Sequence, residues 1–284
     1  MGKKSSYKDL KCSSKSLPAS GGVPISNRSP SMKIGIGSYT YPWNVRAGMS
    51  AEKLLDEAIR LDANVLQLCD NLPLSTLNWS SLAARAKDAN VEIQIGTIGG
   101  GPELEQAATI GKIVGSSLIR LVIGPSYVAQ SLQDVADSLK DGAKQCQEFG
   151  ARLAIENHDF FTTGQIAELA RKVGSGTGVC VDTANSISNL EGTQSLISNF
   201  GDLAICLHAK DVIVEREIHL YGFRIFGVPA GKGYVDFPSL KVGLPNLQTV
   251  ILEQWTPTRN GQPPLDSEVA DVEPGLAYLR SVWS

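Results

Sequence analysis

The chain has no C-x-x-C pair; its five cysteines (Cys12, Cys69, Cys146, Cys180 and Cys206) are scattered. An odd, unpatterned set argues against a disulfide framework and reads as reduced thiols in a cytoplasmic protein. No apolar run approaches the ~20 residues of a membrane span. The lysine-bearing N-terminus also lacks the apolar stretch of a secretory signal. Positive charge is not in excess: 26 Lys and Arg stand against 29 Asp and Glu, a formal net of −3. That balance offers no basic field to nucleic acid or an anionic membrane. Phosphate-loop signatures are missing too. "GIGSYTYPW" after the first strand candidate is not G-x-G-x-x-G, which weighs against a doubly wound nucleotide fold. "AGKG" has Phe226 where a Walker motif needs its first glycine, and no Ser or Thr follows Lys232.

What is present is a repeat. Residues 1–31, rich in Ser, Lys, Pro and Gly, read as a disordered tail or leader ahead of a natural start at Met32. From Lys33 onward, apolar strand-like runs alternate with amphipathic helical stretches. The strand candidates are 33–38, 64–69, 91–96, 117–123, 152–156, 178–182, 203–208 and 248–253. The helical stretches include 51–61, which Ser50 can cap, 102–114 opening at Pro102, 131–149, and a last one near 267–282. Near-continuous apolar strands separated by helices imply a parallel sheet covered on both faces. Eight such units over 32–284 predict one α/β domain, a (β/α)₈ TIM barrel, a fold that typically takes about 250 residues.

In this barrel, functional groups gather at the C-terminal ends of the strands. The last residues of strand candidates five to eight are Glu156, Asp182, His208 and Glu253. Three carboxylates aimed at one axis would repel one another and be costly to desolvate without a cation. The set therefore predicts one divalent metal ion, Mn²⁺ first, with Mg²⁺, Co²⁺ and Zn²⁺ as alternatives.

"IENHD", "VDTAN", "HAKD", "GVPAGKGYVDF" and "ILE" resemble the xylose isomerase-like TIM-barrel superfamily over residues 33–284. The nearest likeness is to its sugar phosphate isomerase/epimerase branch, with ketose 3-epimerases and inosose dehydratases. The resemblance implies that Glu156, Asp182, His208 and Glu253 bind the metal, and that Glu156 and Glu253 also transfer protons. It further implies a homodimer or homotetramer. One departure stands out: those epimerases usually carry a histidine three residues after the strand-six aspartate, and here that residue is Asn185.

The expected function is a metal-dependent isomerase or epimerase of a sugar, keto-sugar or inositol derivative. It would move a proton next to a metal-bound carbonyl through an enediolate. The alternative is a lyase, a dehydratase or decarboxylase of an oxidised sugar or branched 3-keto sugar acid. An abasic-site endonuclease of the same superfamily is disfavoured, because only three histidines are available for its histidine-rich site. Expected substrate contacts are His158, Asn185, Lys210 (with Asp211 as its partner) and Arg120. Arg120 either grips an anionic group or pairs internally with Glu92. Gln67, Glu92, Gln94 and Arg120 are candidates for a polar layer under the pocket. Tyr39, Tyr41 and Trp43 are expected to form an aromatic wall, and the long loop 209–235, with Phe223, a lid. "GTIGGG" (96–101) is either a phosphate cradle or a plain turn.

Overall fold

The structure is a computed structural model that describes residues 32–258 and 260–284. The expected tail, 1–31, lies outside the described residues.

Ten strands occur among the described residues, in chain order: β1 (Lys33–Gly37), β2 (Val65–Leu68), β3 (Glu92–Gly99), β4 (Leu118–Ile123), β5 (Arg152–Glu156), β6 (Thr177–Asp182), β7 (Ala204–Ala209), β8 (Asp211–Arg216), β9 (Phe223–Val228) and β10 (Thr249–Leu252). Eight of them close a parallel barrel in the order β1-β10-β7-β6-β5-β4-β3-β2. Nine α-helices occur among the described residues: α1 (Pro42–Arg46), α2 (Ala51–Arg60), α3 (Trp79–Asp88), α4 (Gly101–Val114), α5 (Leu132–Glu148), α6 (Thr163–Val173), α7 (Thr193–Phe200), α8 (Phe237–Gly243) and α9 (Leu265–Trp283). The fold is a single (β/α)₈ TIM barrel. No described helix is long and apolar enough to cross a membrane.

Local chemistry starts the helices where the sequence indicates. Ser50, Ser131 and Thr162 each accept a backbone N–H from three residues on. Thr162 and Gln165 form a reciprocal capping box.

Side-chain alternation then divides each strand between two environments. One parity, including Leu66, Ile95, Leu121, Ile155, Val181, Leu207 and Leu252, is fully buried in the aliphatic core that also takes in the helices. The other parity fills the barrel interior. Its apolar middle includes Val65, Leu118, Ala154, Cys180, Cys206 and Ile251. The bore is narrow at β1, where a Cβ on Gly35 would lie 1.9 Å from the Val65 carbonyl oxygen, so only glycine fits. At one end of β3, Glu92 pairs with Lys33 and accepts from Ser117. Gln94 donates to Thr249 Oγ1 at 3.2 Å, and Gln67 and Gln94 are buried, forming the expected polar layer.

The segment expected as a lid loop is ordered differently. β8 and β9 pair antiparallel as a two-stranded ribbon rising from β7. Asp211 ties its root, its carboxylate accepting backbone N–H groups of Val212, Gly231, Gly233 and Val235 at 2.8–3.1 Å. "AGKG" therefore wraps a carboxylate of the chain itself.

Candidate active site

Parity brings four strand-end groups together. Glu156 and Asp182 close β5 and β6, His208 lies near the end of β7, and Glu253 follows β10. Asp182 and His208 are register partners on adjacent strands. All four are at most 3% exposed. Glu156, Asp182 and His208 each offer a ligand atom within 4.8 Å of the others. His208 Nδ1 lies 3.2 Å from Glu156 Oε2 and 3.1 Å from Glu253 Oε1.

The surrounding groups fix these side chains unequally. Arg120 bonds Glu156 Oε2 through Nε and Asp70 Oδ1 through Nη1, the latter at 3.1 Å. Asn185 donates from Nδ2 to Glu156 Oε1 at 3.0 Å. Asp182 Oδ1 accepts the backbone N–H groups of Ala184 and Asn185, and its Oδ2 meets Lys210 Nζ at 2.5 Å. Lys210 also reaches Glu253 Oε2 at 2.9 Å, whereas Glu253 Oε1 has no hydrogen-bond partner among the described residues. Burial opposes ionisation of Glu156, but Arg120, His208 and Lys210 outweigh it and hold its pKa well below the usual range. Burial dominates at Asp182 and raises its pKa, helped by Glu156 and Glu253 and opposed by Lys210.

Two observations test whether these residues suit a divalent cation. His208 Nε2 lies 2.8 Å from Gln67 Oε1, which can only accept, so Nε2 carries the proton. A neutral ring then aims the Nδ1 lone pair at two carboxylate oxygens. Nδ1 and Glu253 Oε1 are both buried without a hydrogen-bond partner among the described residues. Only a proton or a metal cation between them relieves that contact. Without a metal, the charges of Glu253 and Glu156 overcome burial and hold the His208 pKa well above its ordinary value. Charge agrees with the donor geometry. Glu156, Asp182, Glu253 and Asp70 face Arg120 and Lys210. With neutral His208, two negative charges are left, which one divalent ion cancels. The residues fit the group.

A cavity of about 270 Å³ opens above them. Glu156 and Glu253 line it and Asp182 and His208 lie behind, so the two glutamates alone of the four can both hold a metal and reach a substrate. Tyr39, Arg120, His158, Asn185 and Lys210 also line it. Several finer expectations are corrected. Trp43 and Phe223 are outside this cavity: Trp43 lines a neighbouring cleft, and Phe223 is 60% exposed on β9 beneath Arg216. Tyr41 is fully buried with its hydroxyl on Glu57. Arg120 pairs with Glu156 and Asp70 in place of Glu92, because Glu92 lies lower on β3 beside Lys33. Lys210 pairs with Asp182 and Glu253, since Asp211 is spent on the ribbon root. The "GTIGGG" turn offers no open phosphate cradle, because Glu103 Oε2 already accepts the Gly100 N–H at 2.9 Å.

Asp70 and Trp255 were missed. Asp70 lies just beyond β2, bonds Tyr39 Oη at 2.9 Å and lines the cavity. Trp255 lies two residues after Glu253 and lines it as well. Strand-end position marks the first, and equal parity with Glu253 marks the second.

No curated protein matches this sequence significantly. Solved structures do share its fold. A D-psicose 3-epimerase determined in the presence of D-fructose is 16% identical with a TM-score of 0.68, covering 89% of this chain and 99% of its own. The IolI protein with a bound zinc atom is 14% identical with a TM-score of 0.67, covering 88% and 96%. The probable 3-DHS dehydratase AsbF of Bacillus anthracis is 14% identical with a TM-score of 0.66, covering 88% and 99%. The model of the xylose isomerase-like TIM barrel matches residues 55–282, and the chain belongs to that family.

Proposed function

We infer that the protein is a metal-dependent isomerase or epimerase of a sugar, keto-sugar or inositol derivative. The observation that carries this reading is the buried set Glu156, Asp182, His208 and Glu253, of which only the two glutamates line the cavity. Similarity to an epimerase and to a zinc-bound relative supports it. A bound divalent ion, Mn²⁺ in our reading, would supply Lewis-acid stabilisation of negative charge at an oxygen beside the reacting carbon. Asp182 and His208 would hold it from behind, with Glu156 and Glu253 completing the set.

Glu253 is the group placed to take a proton, because it lines the cavity and is tied by Lys210, whereas Arg120 and Asn185 both bond Glu156. Glu156 stands on the other side of His208 as the second proton carrier. Lys210 and Arg120 hold the two glutamates in place and present positive charge along the cavity wall. Tyr39 and His158 offer polar edges to hydroxyls. The substrate is a small carbohydrate; the protein assembles as a homodimer or homotetramer and works without nucleic acid or membrane.

One observation favours a second reading. Glu156 is tied by both Arg120 and Asn185, which weakens it as a second base. A site with one free base suits loss of water or CO₂ after proton abstraction, as in a dehydratase or decarboxylase. Incubation of the Mn²⁺-loaded protein in D₂O with ketoses, inososes and 3-keto sugar acids, followed by NMR, separates the two. Deuterium beside the carbonyl in an intact skeleton is the expected result; loss of water or CO₂ establishes the lyase. Neither change with any compound, and no Mn²⁺ bound, overturns both.

A further inference from the structure

The cavity above the four strand-end residues has a neighbour. A second cleft of about 280 Å³ shares Pro42, Gln254 and Trp255 with it, and adds Trp43, Arg46 and Thr256. Each cavity approaches the roughly 300 Å³ at which small-molecule sites begin, so each suits about one ring.

The walls of the cleft are held in place. Trp43 Nε1 donates to the Thr256 carbonyl at 2.9 Å, and the Trp43 backbone N–H donates to Glu268 Oε1 at 3.1 Å. Trp255 belongs to both cavities, and Lys210 Nζ, which pairs with Asp182 and Glu253, lies 5.2 Å from its ring centre. Even so, Trp255 is 41% exposed. Arg46 lies over Trp43 at 5.2 Å, leaving guanidinium donors at the cleft rim. An anchored indole, a second indole on the shared wall and a cation at one concavity are suited to the C–H face of a sugar ring or the face of an aryl group, with hydroxyls on the arginine.

We propose that this cleft is a second-ring subsite, so that the substrate carries a glycosyl ring or aromatic aglycone beyond the sugar held in the first cavity. The proposal rests on reading the first cavity as the catalytic one. A lone monosaccharide over Glu156 and Glu253 would fill only that cavity and leave the cleft beside Trp43 unfilled. Trp255, standing in both, is the hinge between the two rings.

The test is an equilibrium measurement that needs no turnover. Methyl β-D-glucoside, phenyl β-D-glucoside and cellobiose would be titrated calorimetrically into the Mn²⁺-loaded full chain, Trp43→Ala and Trp43→Phe, with the melting temperature of each variant recorded. Cellobiose or the phenyl glucoside is expected to bind about tenfold tighter than the methyl glucoside. Trp43→Ala should erase that margin without changing the methyl glucoside affinity, and Trp43→Phe, which keeps a ring, should retain most of it. A margin for cellobiose alone assigns a saccharide ring, and one for the phenyl glucoside alone an aryl group. Equal affinities, no binding by any of the three, or a margin that survives Trp43→Ala overturns the subsite. Failure of the isomerase reading appears separately, as absence of chemistry in D₂O with the binding margin intact.

Discussion

Ile155 and Glu156 are consecutive on β5, yet they answer to opposite demands. Ile155 points outward into the helix-covered aliphatic core, and Glu156 points inward to the cation-fitting cluster; both are at most 1% exposed. The same pairing recurs at Val181 and Asp182, Leu207 and His208, and Leu252 and Glu253. The outward face is an ordinary packed core whose contribution follows apolar area. At its upper end the inward face buries charge that no hydrophobic bookkeeping would tolerate. Stability and chemistry are thus separated by side-chain parity within single strands.

That separation can be broken experimentally, beginning with the largest effect. Glu253→Gln removes the carboxylate proposed to carry the proton. The rate of deuterium incorporation should fall by ~10²–10⁴-fold, and the rise in melting temperature on adding Mn²⁺ should shrink. An unchanged rate would remove Glu253 from the chemistry. Next, Ile155→Ala on the outward face should cost ~2–5 kcal/mol in urea unfolding. Its Mn²⁺ dissociation constant should stay within about twofold, since the cavity lies on the other side of the strand. A large loss of metal affinity would show that the two faces are coupled. The smallest effect sharpens the comparison. Gln67→Leu keeps the inward volume but deletes the acceptor on His208 Nε2. Metal affinity should weaken by ~10–100-fold, read by chelator competition, and no change would mean that Gln67 does not set the histidine's tautomer.

The barrel was legible because both of its signals are local: apolar runs of strand length, and helix starts such as the cap Ser50 between them. Strand-end position alone also singled out Glu156, Asp182, His208 and Glu253, which the structure brings together. What escaped depends on reach across the mouth. Arg120 lies inward on β4, and two carboxylates are within its span, Glu156 from β5 and Asp70 from beyond β2; spacing along the chain does not reveal which partners an arginine finds. Asn185, read as a departure at a substrate contact, holds Glu156. The ribbon of β8 and β9 was hidden because glycines and aromatics read as a loop until Asp211 is seen gathering four backbone N–H groups.

Parity has one more consequence, for how such a gene can change. Substitutions sample the two faces of a strand independently, so the outer residues can drift among aliphatics while the inner ones explore new ligands. Insertion or deletion of a single residue within β5 or β6 is another matter. A one-residue slip exchanges the faces, driving Ile155 or Val181 into the cavity and a carboxylate into the helix-facing core. Length variation in descendants of this chain should therefore collect in the connections, such as the tip of the β8–β9 ribbon, and spare the barrel strands.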